Sequence, residues 1–217
     1  MTGSIAPGDP RSGAGRPPVR ELAFGSACFA VNLQIRPPDA TRTAMVELRE
    51  RMRAATGLEM HFAPAATLHL TAFSVVYVRA LYPTAPDLLW SHLEAPVGAA
   101  LRALARRMAP FVLGFDRAGL RGDAVIVEAD PDPRLEAVRD AVETAMAGIA
   151  PVFRTATTHS TIARLAQPAA AAWTRPLGTW LPWPTLEWPV DELRLVLERR
   201  YPALDETELE RFPLAGG

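Results

Sequence analysis

The chain has 217 residues, 49% of them apolar, with 23 basic and 24 acidic side chains and a net charge of −1. That is enough chain for one sizeable domain or two small lobes sharing an interface. Near-neutral charge argues against a protein that coats nucleic acid indiscriminately, although a local basic pocket is compatible with it.

No apolar run approaches the length of a membrane span, and no basic start followed by an apolar core marks a signal peptide. The single Cys28 cannot form an internal disulfide. A cytoplasmic, monomeric protein is expected.

Residues 1–20 are rich in Gly, Pro, Ser and Arg and read as a disordered tail. An apolar strand over Ser26–Ile35 stops at Arg36-Pro37-Pro38, and Asp39 or Thr41 is expected to cap the helix that follows, to about Ala55. Gly57 ends that helix, and a short strand over 58–62 leads into Leu68–Val78, a β-branched and aromatic run that reads as a buried strand.

Residues 81–87 form a Pro-punctuated loop. A helical pattern then covers 88–108, with Pro96 expected to start a fresh helix. Strands over 111–118 and 124–129 are joined through a hairpin-like Gly119–Asp123 connection. A helix over 133–147 carries Leu135, Val138, Val142 and Met146 on one face and leads to a strand over 152–165.

A helix is expected over 169–180, a Pro/Trp connector over 181–188 and a last strand over 190–199. Residues 201–217 read as a polar C-terminal tail, with Phe212 and Leu214 packing back. Of the tryptophans at 173, 180, 183 and 188, packing is expected more than base stacking. The acids at 205, 206, 208 and 210 read as a solvated helical turn.

Strand, helix and strand thus occur twice. The second strand of each set carries the same pair: His69-Leu70-Thr71 in the first and His159-Ser160-Thr161 in the second. In a strand, residues two apart share a face, so each imidazole stands beside a hydroxyl. The repeat predicts an α+β, bilobal domain over 21–200: two pseudo-symmetric strand-helix-strand lobes whose antiparallel sheets flank a central cleft.

Two imidazoles make a minimal acid–base apparatus, and hydroxyls suit the non-bridging oxygens of a phosphate. Opening a strained cyclic phosphate fits that equipment. No paired-Cys or His-x-x-x-His pattern calls for a metal, and His61 reads as structural or cleft-lining.

The doubled motif, with Ile162-Ala163-Arg164 after the second copy, resembles the 2H phosphoesterase superfamily, which includes RNA 2′,3′-cyclic phosphodiesterases of the RNA-ligase-like group. The resemblance runs from about Ser26 to Arg199. It implies a bilobal α+β fold with the active site between the lobes, His69 and His159 as an acid–base pair with either order open, and Thr71 and Thr161 holding phosphate. It also implies an RNA end or nucleotide as substrate and no cofactor, and it points to Arg164 as a phosphate contact.

The chain departs from the RNA group in having Thr158 where Pro usually precedes the second histidine. It also has Ser74 where an aromatic commonly follows the first histidine by five places. By strand parity Phe73 falls on the histidine face, where it could stack on a base, and Arg164 reaches the cleft only if its strand bulges. A non-catalytic module holding a nucleotide or phosphometabolite in the same cleft is the alternative. A binder, however, does not need two titratable groups.

Overall fold

The computed structural model describes residues 18–121, 123–155, 157–166 and 185–215. Strand β1 (Ala27–Ile35) is buried along most of its length and ends where Pro37 and Pro38 withdraw backbone donors. Helix α1 (Asp39–Thr56) turns Met45, Leu48 and Met52 inward. Gly57 closes it in the left-handed region at φ 65°, its N–H bonded to the Arg53 carbonyl at 2.9 Å.

The expected side-chain cap is not formed. Pro38 occupies the capping position, and the Thr41 hydroxyl instead donates to the Glu187 carbonyl at 2.6 Å. A short β2 (Met60–His61) and a 3-10 turn (Ala65–Thr67) lead to β3 (Leu70–Val76).

Helix α2 (Pro86–Ala105) passes through Pro96 without a break, contrary to the sequence expectation. Leu89, Leu93, Val97, Leu101 and Leu104 form one buried stripe across the proline. Burial of that stripe outweighs the one backbone bond the proline removes. Strands β4 (Phe111–Arg121) and β5 (Ala124–Ala129) form a hairpin. Helix α3 (Pro133–Met146) is capped by Asp132, whose side chain accepts from the Arg134 N–H, and β6 (Thr158–Leu165) follows.

With β7 (Leu186–Val190), β8 (Glu192–Arg200) and β9 (Asp205–Pro213), the strands of the described residues pair throughout as antiparallel neighbours in the order β7-β4-β5-β6-β3-β1-β8-β9, with β2 added beside β6. At the middle, β3 and β6 are joined through one residue pair, Leu70 with Ser160. That seam divides the sheet into two four-stranded halves. Outward from it, each half begins with a motif strand and then the strand that precedes a helix: β3 then β1, β6 then β5. The helices cross over, α1 packing on β6 and β7 and α3 on β3 and α2, so one apolar core runs beneath both halves. The two lobes read from the sequence are these halves.

Three segments differ from expectation. The polar C-terminal tail is an edge strand, β9 (Asp205–Pro213), paired along β8 (Glu192–Arg200). Its acids make ion pairs, Glu206 with Arg36, Glu208 with Arg194 and Glu210 with Arg102, so it lacks the apolar alternation by which strands are recognised. Phe212 and Leu214 are buried as expected.

Part of the Pro/Trp connector is a second strand, β7, which among the described residues ends the sheet and there tolerates Pro189. Trp188 there is fully buried against Phe115, and its indole N–H donates to the Arg36 carbonyl at 2.9 Å. The expected helix over 169–180 and Trp173, Trp180 and Trp183 lie outside the described residues. At the other end, Val19 bridges Ala80, and Arg20 N–H bonds the Arg79 carbonyl at 2.8 Å, so the last residues of the stretch assigned to the tail are built into the fold.

Candidate active site

Leu70 and Ser160 are the middle residues of the two His-x-Thr pairs, and they face each other across the seam. Their own side chains are buried in the core. Strand alternation therefore lifts His69, Thr71, His159 and Thr161 together to the opposite face, where all four are half-buried and line one cavity of about 760 Å³. Antiparallel register about the central pair sets His69 beside Thr161 and Thr71 beside His159. The Ser160 hydroxyl donates to the His69 carbonyl at 2.6 Å, tying the second motif to the backbone of the first.

The His69 ring is oriented at both nitrogens. Nδ1 lies 2.8 Å from the Thr67 carbonyl, which can only accept, so Nδ1 carries the proton. Nε2 is then the basic nitrogen, and it receives the Thr71 hydroxyl at 3.1 Å. Burial pushes the His69 imidazole below its ordinary 6.5. The Glu206 carboxylate opposes that effect, while Arg36 and His159 add to it. A neutral ring with an in-facing lone pair is the form a general base needs. His159 is oriented at Nδ1 by the Thr157 hydroxyl, 3.1 Å away.

Beyond each motif the strand bulges at the same place. In β3, Leu33 pairs with Phe73 and Gln34 with Thr71, which leaves Ala72 unopposed. In β6, Val125 pairs with Ala163 and Ile126 with Thr161, which leaves Ile162 unopposed. Each extra residue inverts the parity that follows.

Phe73, expected on the histidine face as a base-stacking group, is turned into the core and is fully buried. Ser74 takes the cleft position instead. The same inversion swings Arg164, on the far face by simple alternation, onto the cleft. There it pairs with Asp123 at 2.9 and 3.1 Å and lies over the Tyr201 ring at 5.2 Å, and its Nε has no protein partner.

The cavity extends past the motifs to groups that sequence reading did not single out. Glu198, on β8, is buried and accepts hydrogen bonds from the Ala203 N–H at 2.9 Å and the Asn32 amide at 3.2 Å. Tyr77 and Tyr201 line the walls, and His61 lines the cavity while stacked on Phe24 at 4.4 Å. No local motif marks Asn32 or Glu198. They reach the cleft because β1 and β8 are the next strands out from β3.

Cys28 is half-buried, and burial raises its thiol to about 12, well away from a nucleophile's range. Among the described residues no three His, Cys, Asp or Glu side chains gather as a metal site, and no helix is long and apolar enough to cross a membrane.

Two His-x-Thr pairs, brought to one cavity by a pseudo-twofold antiparallel sheet, define a two-histidine phosphoesterase architecture. The model of the 2′-5′ RNA ligase superfamily matches residues 37–202, and the chain belongs to that superfamily, within the 2H phosphoesterases.

Among solved structures, TT0787 of Thermus thermophilus is similar at 25% identity with a TM-score of 0.60, over 86% of this chain and 98% of that one. Apo LigT of E. coli is similar in fold at 18% identity and a TM-score of 0.58, over 87% and 98%. LigT complexed with 3′-AMP matches at 19% and 0.58, over 87% and 99%. No curated protein sequence matches the chain.

Proposed function

We propose that the chain is a phosphodiesterase that opens a 2′,3′-cyclic phosphate, on an RNA end or a nucleotide, to a phosphomonoester without a bound metal. The observation that supports this most directly is the meeting of both His-x-Thr pairs at the seam, on the floor of one cavity.

In the proposed reaction, water attacks phosphorus opposite the departing ribose oxygen. His69 Nε2 takes the water proton, the phosphorus–ribose bond breaks, and imidazolium His159 gives its proton to the leaving oxygen. With substrate bound, the Thr71 hydroxyl turns from Nε2 to a non-bridging oxygen, which frees that nitrogen for the water proton. The Thr161 hydroxyl donates to another as charge builds there. Arg164 reaches the same phosphate, which provides a partner for its unsatisfied Nε. The lowered affinity of His69 for protons supports its assignment as base in this direction. Nucleotide ligands are in keeping with the family, since the E. coli LigT has been crystallised with 3′-AMP.

The test is turnover, with chelator present, of 2′,3′-cyclic nucleotides and of RNA ending in a cyclic phosphate. His69→Ala and His159→Ala are each expected to lower kcat by about 10²–10⁴ with the fold intact. Wild-type turnover by either variant would overturn the mechanism. Tight nucleotide binding with no turnover of any cyclic phosphate would replace it with a binding module.

A further inference from the structure

Both bulges beyond the motifs are held by a buried arginine from the helix that crosses from the other half. From α1, Arg49 donates Nε–H to the Ile162 carbonyl at 2.6 Å and Nη1–H to the Ala63 carbonyl at 3.0 Å. From α3, Arg139 donates Nε–H to the Ala72 carbonyl at 3.2 Å and Nη2–H to the Thr157 carbonyl at 3.2 Å. Ile162 and Ala72 are the unopposed residues of the two bulges, each three places after its histidine. Both arginines are almost wholly enclosed, 4% and 1% exposed.

The chemistry accounts for the choice of residue. An unopposed bulge residue leaves the ladder, and a buried carbonyl there needs a donor from elsewhere. A guanidinium presents several N–H groups in a rigid fork and can reach two carbonyls at once, which a lysine ammonium does not do with fixed geometry.

In each case the second carbonyl belongs to the run-in to the other motif. Ala63 precedes His69, and Thr157 carries the hydroxyl that orients His159. Each arginine therefore braces one motif's exit against the other motif's entrance. Arg139 also pairs with Glu136 of its own helix, whereas Arg49 lies over the Phe62 ring at 5.5 Å.

We propose that Arg49 and Arg139 are positioning residues, each holding the bulge that turns the residue five places after a motif histidine, Arg164 or Ser74, into the cleft. The kinetic half of this rests on the reading that Arg164 meets substrate phosphate. The structural half does not.

Arg49→Met, Arg49→Lys and Arg139→Met test it. Crystal structures of the Arg49 variants are expected to show the 162–164 register shifted, with Thr161 still opposite Ile126, and Arg164 parted from Asp123. Register and ion pair unchanged in both would overturn the proposal, whatever the protein hydrolyses. Arg49→Lys keeps the charge but not the rigid fork that reaches two carbonyls, and serves if the methionine variant does not fold.

On a 2′,3′-cyclic nucleotide, Arg49→Met is expected to raise KM about tenfold, with kcat within about threefold. Arg164→Ala should cost about tenfold in the native background but less than about threefold in Arg49→Met. Arg139→Met should shift the 72–74 register in the same way. Equal Arg164→Ala effects in both backgrounds would mean that Arg49 acts on stability alone. A protein that turns over no cyclic phosphate would fail the functional reading and leave the crystallographic result to decide this one.

Discussion

Replacing Glu198 by Gln isolates one buried titration. Glu198 is 5% exposed, and burial raises its carboxyl from 4.5 to about 7. The hydrogen bond from Ala203 opposes the rise most strongly. Glu206 on β9 adds to it, while Arg164 on β6 and the Asn32 amide pull the other way.

The interval from 4.5 to about 7 is worth about 3 kcal/mol of folding free energy. Below 4.5 the carboxyl is protonated in both folded and unfolded chains and costs nothing. As pH rises toward 7 the unfolded chain ionises while the folded one keeps its proton. Stability therefore falls through that window and levels off above 7.

Glutamine does not titrate. With the Asn32 amide turned over, it can accept from Ala203 N–H and donate to Asn32, so both native hydrogen bonds persist in kind. Urea unfolding followed by the fluorescence of buried Trp90 and Trp188 is the assay. Relative to wild type, Glu198→Gln should gain about 3 kcal/mol between about pH 4.5 and 8. A wild-type-minus-variant difference that stays flat across that range would refute the reasoning.

On the proposed mechanism His69 acts as base in its neutral form, and burial holds it below 6.5, so the acid limb of kcat/KM should bend below pH 6.5. A bend at or above 6.5 would remove His69 as the base. Phe73→Leu should cost about 1–3 kcal/mol in a denaturant melt and leave KM unchanged, because the ring is wholly in the core. A raised KM at native stability would restore a role in the cleft. Gly57→Ala should destabilise by about 1 kcal/mol, since φ is 65° and nothing lies within 4 Å of an added Cβ. An unchanged melt would show that the helix end relaxes freely.

How far the site could be read from sequence is clearest in the two residues beyond the motifs. His69 with Thr71, and His159 with Thr161, needed only period-two alternation within a strand, which is local and holds over three residues. Phe73 and Arg164 needed the same rule carried two or three residues further, across a bulge. An inserted residue leaves no mark of its own in the sequence, because what makes it an insertion is the neighbouring strand that fails to pair with it.

Glu198 and Asn32 were out of reach for a related reason, since their place at the cleft depends on sheet order rather than on any nearby residue. Strands β7 and β9, which end the sheet among the described residues, escaped because one carries proline and the other is mostly charged.

By itself the sequence determined the two His-x-Thr strands, the helices before them and their repeated order, because each depends on contacts within a few residues of chain. The tertiary structure alone decided that Leu70 meets Ser160 across a seam, that two bulges reverse the faces beyond it, and that arginines from the crossing helices sit at those bulges. Each of these is a pairing between segments distant in sequence, and no local pattern specifies the partner.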